Sequence, residues 1–185
     1  LANNETFKSV EVGMGWSAPN GILALSANYY NTLWLNRTRS FFVVDSSGAE
    51  SAIYLQGMNA NHSGVEIEAS IKPMDDLRID IGASFGDWVL LDDLDGEYTD
   101  YSSGAAVSTD VNYYVGGLHV GDAPQNQIMG SITYTGIKGM NARLSMRHYD
   151  KFFSDWNVFD RDDAADAGVE SWQIPSFTLV DLNLN

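Results

Sequence analysis

The chain has 185 residues, enough for one domain with a sizeable core, and carries Lys+Arg 10 against Asp+Glu 25, a net charge of −15. That balance disfavours a nucleic-acid binder, which needs a basic surface against phosphates. The absence of cysteine excludes disulfides, thiolate chemistry and cysteine-based zinc sites, and 44% hydrophobic residues are too many for a disordered chain.

The opening "LANNETFKSV" lacks the basic and apolar regions of a signal peptide. Strands then follow one another with period-2 alternation. In the first, 8–18, Val10, Val12, Met14 and Trp16 oppose Ser9, Glu11, Gly13 and Gly15. The turn "APNG" (18–21) leads into 22–37, where Leu23, Leu25, Ala27 and Tyr29 oppose Ala24, Ser26, Asn28 and Tyr30. A long loop is expected over 38–52. The strand 53–72 includes "HSGVEIEASIKP", with Val65, Ile67, Ala69 and Ile71 on one face and Glu66, Glu68, Ser70 and Lys72 on the other. After the turn "KPMDD" (72–76), Leu77, Ile79, Ile81, Ala83 and Phe85 mark a strand over 76–91. A second long loop is expected over 92–110, then a strand over 111–135, broken near Pro124. The turn "GIKG" (136–139) precedes a strand over 139–153, a third loop over 154–175 and a last strand over 176–185. The closing "FTLVDLNLN" stops inside an alternating run, so the sequence reads as a fragment.

Short turns thus fall at one end of the sheet and long loops at the other. A soluble sandwich shows turn signals every ~8–12 residues without that asymmetry, whereas an outer-membrane barrel has short periplasmic turns and long extracellular loops. There is no run of about 18 apolar residues for a transmembrane helix, but barrel strands carry only alternating hydrophobicity. The predicted fold is therefore all-β: an antiparallel up-and-down transmembrane barrel of which seven strands are present, forming an open, curved sheet with both edges unpaired. Trp16 and Tyr134 are assigned to one interfacial aromatic belt, and Phe85, Trp88, Phe152, Phe153 and Trp156 to the other. The 92–110 loop, in a stretch without Lys or Arg between Arg78 and Lys138, is expected outside the cell, repelling anions.

Chemistry-bearing motifs are scarce. His62, His119 and His148 lack metal-ligand spacing and read as loop or interface residues. "DRDDAADAGVE" (160–170) lacks the glycine at position six of a calcium loop, and "DDLDGEYTD" (92–100) is out of register. Both read as solvated acidic loops, with weak divalent-cation binding at 92–100 as the alternative. "GASFGDW" sits on a strand with no following helix, so its glycines point to close packing or a bulge. No G-x-S-x-G, P-loop or dinucleotide fingerprint occurs, and no carboxylate pair stands out among 25 acidic residues. The expectation is a protein that is not an enzyme, with no catalytic residue, no metal ligand and no cofactor.

Several stretches resemble TonB-dependent outer-membrane receptors. "FKSVEVGMGW" looks like the family's K-S-x-E-x-G strand, "NYYNTLWLNRT" resembles its YYxTxWxxRT strand, and "GMNANHSGVEIEASIKP" is close to its GxxAxHxGxExxxxxxP stretch. "GDW", "LHVGDAPQNQ", "SMRHYDKFFSDW" and "SWQIPSFTLVDLNLN" follow in the family's order. The resemblance covers nearly the whole chain and falls on the C-terminal part of the family's barrel. It implies that residues 1–185 are part of a 22-stranded barrel whose plug domain and final strands lie outside this sequence. It further implies a Gram-negative outer-membrane location, contact with lipid, coupling to TonB through the missing N-terminal region, and uptake of a scarce nutrient, with a ferric siderophore as the usual ligand and glycans or cobalamin as others. No motif position carries over as a ligand contact, so ligand-binding residues stay unassigned. Two other readings remain: a different outer-membrane barrel, such as a porin or adhesin, and a soluble all-β binding module. In the barrel reading, Val65, Ile67, Ala69 and Ile71 face lipid while Glu66, Glu68, Ser70 and Lys72 face a wet lumen.

Overall fold

The computed structural model describes residues 4–44, 48, 50–103 and 105–185. Its strands are β1 (Thr6–Ser17), β2 (Leu23–Val44), β3 (Glu50–Met74), β4 (Leu77–Leu90), β5 (Leu94–Asp100), β6 (Val107–Tyr113), β7 (Pro124–Tyr134), β8 (Ala142–Phe153), β9 (Gln173–Ile174) and β10 (Phe177–Leu184). Seven run side by side in the order β1-β2-β3-β4-β7-β8-β10, every neighbouring pair antiparallel, and the row does not close on itself. These are the seven strands that period-2 alternation predicts. Among the described residues no helix is long and apolar enough to cross a membrane, a test that does not address strands.

The long connections differ from expectation. Most of 38–52 is strand: β2 and β3 continue as a paired ribbon as far as Val44↔Glu50, and the loop residues 45–47 and 49 lie outside the described set. Residues 92–110 are mainly the hairpin β5–β6, with β5 paired to the upper part of β3. The stretch 111–135 is two strands, β6 and β7, separated by ten irregular residues of which only His119 bridges, to Val89. The 154–175 segment holds two 3-10 turns, Val158–Asp160 and Ala164–Asp166, and β9. The connections at the other end are short: 75–76 joins β3 and β4, 18–22 with Gly21 at φ 71 joins β1 and β2, and 135–141, longer than the expected 136–139, joins β7 and β8.

Register determines the faces, because side chains directly opposite in a ladder share one side. Val12 pairs with Tyr29, Tyr29 with Val65, Val65 with Phe85; Ala83 pairs with Ile128; Ile132 with Leu144; Leu144 with Leu182. Following these pairs across all seven strands gives one continuous outer face built mainly of Val, Ile, Leu, Met, Ala, Gly, Tyr, Trp and Phe, with His148 and Thr178 in the row of Ile67 and Asn126 in the row of Val65. Among the described residues, the row of Val65 and Phe85 ends on Asp150 of β8, and from the next row, that of Ile67, to the turns the face carries no Asp, Glu, Lys or Arg. This face is uncovered: Met14 is 77%, Val12 65%, Leu182 65% and Ile67 48% exposed.

The buried core lies elsewhere, at the long-loop end. Ile53, Leu55, Met58, Leu90, Leu94, Leu118, Trp156 and Val158 pack there, from β3, β4, β5 and the irregular segments. Two irregularities direct it. Along β3 the inward residues step 62, 60, 58, then 55 and 53, because Gly57 adopts φ 77 and shifts the register. On β2, Asn36 at φ 59 does the same between Trp34 and Arg37. Without these bulges Ile53 and Leu55 would emerge on the opposite face; with them, the cap core sits on the same side of the sheet as the polar residues below it.

Candidate functional site

The inner face carries the polar half of every alternation. One row runs Ser17–Ala24–Ser70–Asp80–Ser131–Ser145–Asp181, and the next Gly15–Ser26–Glu68–Gly82–Met129–Arg147–Leu179. A single trough of about 1000 Å³ touches residues of all seven strands, from Gly15 on β1 to Asp181 and Asn183 on β10. One volume reaching both end strands means the sheet is curved with its polar face concave.

Charge is unevenly distributed over this face. Glu11, Glu66 and Glu68 lie on β1 and β3; Glu68 accepts a hydrogen bond from Ser26 Oγ (3.4 Å) and Glu11 accepts one from Asn28. Arg143 and Arg147 lie on β8, where Arg147 pairs with Asp181 (2.7 Å) and Arg143 donates to the Ser131 hydroxyl (3.3 Å). On β4, Arg78 pairs with Asp80 at 2.8 Å. These groups face an open trough, where water screens each pair to a small contribution.

Between the trough and the cap core lies a shelf of inward rings. Phe7, Trp34, His62 and Trp88 come from four successive strands, with centroid separations of 4.9, 6.4 and 5.5 Å. The Arg37 guanidinium sits 4.5 Å from the Trp34 ring centroid, and the Trp34 indole N–H donates to Glu5. The Trp88 indole donates to Tyr30 Oη (2.9 Å), while Gln125, on the neighbouring strand, both accepts from the Trp88 amide (2.9 Å) and donates to its carbonyl (3.0 Å). Tyr30 lies across Gly64: a Cβ there would fall 2.5 Å from Tyr30 Oη and 2.8 Å from the Phe85 carbonyl oxygen. Glycine is thus the residue that lets the ring lie flat on the sheet.

The aromatic assignments need correcting accordingly. Trp16 and Tyr134 lie on the outer face near the short turns, and Phe85 and Phe152 also point outward. Trp88 points inward, Trp156 is buried in the cap core at 5% exposure, and the buried Phe153 stacks on His119 at 4.3 Å. The signal was present in the spacing: Phe85 and Trp88 are three residues apart on one strand and so occupy opposite faces.

The histidines occupy three settings. His62 joins the ring shelf; His148 Nδ1 meets Thr178 Oγ1 at 2.9 Å on the outer face; His119 Nδ1 meets Glu170 Oε2 at 2.6 Å, with Asp87 3.6 Å from its Nε2. The His119–Glu170 contact fastens the 154–175 segment to the end of β4. A second fastening is Arg39–Asp155 (2.6 Å), with the Arg39 guanidinium over Phe41 and Trp156. Arg161 is buried and donates to the carbonyls of Asp166 (3.3 Å) and Val169 (2.6 Å), closing the acidic stretch 160–170 around itself. In the same cap, burial raises the Tyr113 phenol pKa above its usual value, helped by the nearby Asp162 and Tyr98. Of the segment 92–100 that reads as a solvated acidic loop, 94–100 is strand β5, with Leu94 in the core and Asp95 and Glu97 exposed, while Asp92 and Asp93 accept hydrogen bonds from Asn59 and the Gly116 amide. Comparison with known proteins returns no match: no family model, no curated protein and no solved structure matches this chain.

Proposed function

We propose that the chain is part of the wall of an outer-membrane barrel, and that the barrel is a TonB-dependent receptor taking up a scarce nutrient, a ferric siderophore foremost. The observation that carries the membrane part is the apolar outer band, free of Asp, Glu, Lys and Arg from the row of Ile67 to the short turns. Outward residues from Val65 to Ile71 lie six steps apart, about 20 Å along the strand at ~3.3 Å per step, the larger part of the apolar band of about 25 Å on transmembrane barrels. A soluble sandwich would pack such a face against a second sheet. Here Val12, Met14 and Leu182 are left open over half of their surface or more. The concave polar side fits a water-filled lumen, and the shelf and cap over it fit the ligand-facing end of a receptor. The receptor class itself rests on the motif order from "FKSVEVGMGW" to "SWQIPSFTLVDLNLN".

The receptor reading is tested by uptake. In the source cell grown without free iron, loss of this protein removes accumulation of one labelled ferric siderophore, and loss of TonB removes it equally. Uptake that persists without TonB points to a diffusion porin and overturns the receptor class while leaving the barrel intact.

A further inference from the structure

We infer that the free edge of β6 docks an extended, basic segment of a partner protein, which joins the cap as one more strand. This goes beyond the transport reading and needs only the cap, whether or not the wall below it lies in lipid.

In the cap the strands pair in the order β2-β3-β5-β6, and β6 pairs with β5 alone. Its seven residues match β5 one for one without a register shift, so its other side offers an unbroken row of N–H and C=O groups. Edge strands are usually guarded by lysine, proline or a bulge. Val107–Tyr113 has none of the three. The residues from Val107 to Asp110 are all exposed. At the far end the strand is anchored: Tyr113 is buried in the core, and the Tyr114 amide donates to the Arg161 carbonyl (2.8 Å). A regular edge held in place in this way gives an added strand its backbone hydrogen bonds.

The two sides of β6 define the segment. Outward, Asp110 stands directly opposite Glu97, a cross-strand pair of like charge that costs stability. Among the described residues neither carboxylate forms an ion pair. No Lys or Arg lies between Arg78 and Lys138 to relieve the repulsion from nearby in the sequence. A strand added to β6 brings one of its side chains to about 5 Å from Asp110 on that side, and a lysine or arginine there turns repulsion into attraction. On the core side, Val111 packs against the cap core, while Val107, further along the same side, is 54% exposed. Apolar side chains of the added strand cover these two valines. The fitting segment therefore alternates basic and apolar residues, as strand geometry requires of a segment with two different faces. An acidic segment adds a further carboxylate to the row of Glu97 and Asp110 and is rejected.

The test uses the complete protein in phosphatidylcholine vesicles and a labelled seven-residue peptide of alternating lysine and valine, followed by fluorescence anisotropy and amide hydrogen exchange. In the free protein the β6 amides that point away from β5 exchange fast. The peptide binds and slows them; an alternating glutamate–valine peptide does not bind, and a peptide with the lysines and valines in two blocks binds more weakly. Asp110→Asn weakens binding, and Asp110→Lys weakens it by about tenfold. In both variants the β3–β5 amides keep their protection, so the hairpin is still folded. Failure of the alternating peptide to bind, equal binding of the block peptide, binding unchanged by either variant, or edge amides of β6 already protected without peptide overturns the inference. None of these outcomes bears on the membrane reading.

Discussion

Replacing Ile67 by arginine separates a lipid-facing wall from a water-facing one. Ile67 lies mid-band, paired with Ala27 on β2 and Ala83 on β4, and the outward residues of β3 from Ser63 to Ile71 carry no charge. An arginine near the bilayer midplane on a barrel's lipid face costs about 2–4 kcal/mol, or roughly 30- to 700-fold in the folding equilibrium. The same change at a strand position exposed to water falls within about 0.5 kcal/mol. The gap between these figures exceeds the scatter of a refolding measurement. Depth adds a second dimension: Ile71 lies by the short turns, where the lipid-face penalty falls to about 0–1 kcal/mol. Glu66→Arg, on the inner face, should cost less than about 1 kcal/mol and change only lumen charge. The assay is reversible urea unfolding of the complete protein in lipid vesicles, followed by tryptophan fluorescence. An Ile67→Arg cost below about 0.5 kcal/mol, or a cost at Glu66→Arg equal to it, would refute the assignment of faces.

Gly64→Ala should destabilise the wall by about 1–3 kcal/mol, because the new methyl meets both the Tyr30 ring and a backbone carbonyl that cannot move aside; adding Tyr30→Ala should recover part of the loss in the same urea assay. Arg39→Ala should leave the wall's melting unchanged but free the 154–175 segment, raising its rate of limited proteolysis several-fold, since the half-exposed Asp155 pair and two ring contacts are together worth about 1–2 kcal/mol. Tyr113 has a raised folded-state pKa, so the neutral phenol stabilises the cap fully below its unfolded value near pH 10, and that contribution is lost as pH rises through the folded pKa. Alkaline titration watched by phenolate absorbance should show one late-ionising tyrosine, missing in Tyr113→Phe; a titration in which no tyrosine lags would contradict the burial argument.

The seven-strand sheet was legible in the sequence because its physics is local. Val10, Val12, Met14 and Trp16 alternate with Ser9, Glu11, Gly13 and Gly15 whatever their neighbours do, and the turns at 18–21, 72–76 and 136–139 declare themselves by Pro and Gly. The cap was not legible for two reasons. At Asn36 and Gly57 the parity of the inward face changes, so the upper ribbon of β2 and β3 breaks the alternation that identifies a strand and passes for a loop. In β5 and β6, Asp95, Glu97 and Asp110 mask the few core residues, and only pairing to β3 reveals the hairpin. The inner face could be read by exclusion, as whatever the apolar alternation leaves behind. Its ring shelf could not, because Phe7, Trp34, His62 and Trp88 are brought together only by the register of strands that are far apart in sequence.

Side-chain access along β3 tests the lipid-facing wall most directly. The native sequence has no cysteine, so single cysteines placed in turn at positions 65 to 71 of the complete protein each give an unambiguous readout. In intact outer membranes, a membrane-impermeant thiol reagent should label Glu66→Cys, Glu68→Cys and Ser70→Cys strongly through the aqueous lumen. Val65→Cys, Ile67→Cys and Ala69→Cys, shielded by lipid, should label weakly. Uniform labelling, or alternation in the opposite phase, would contradict the claim that Val65, Ile67, Ala69 and Ile71 form part of a lipid-facing wall.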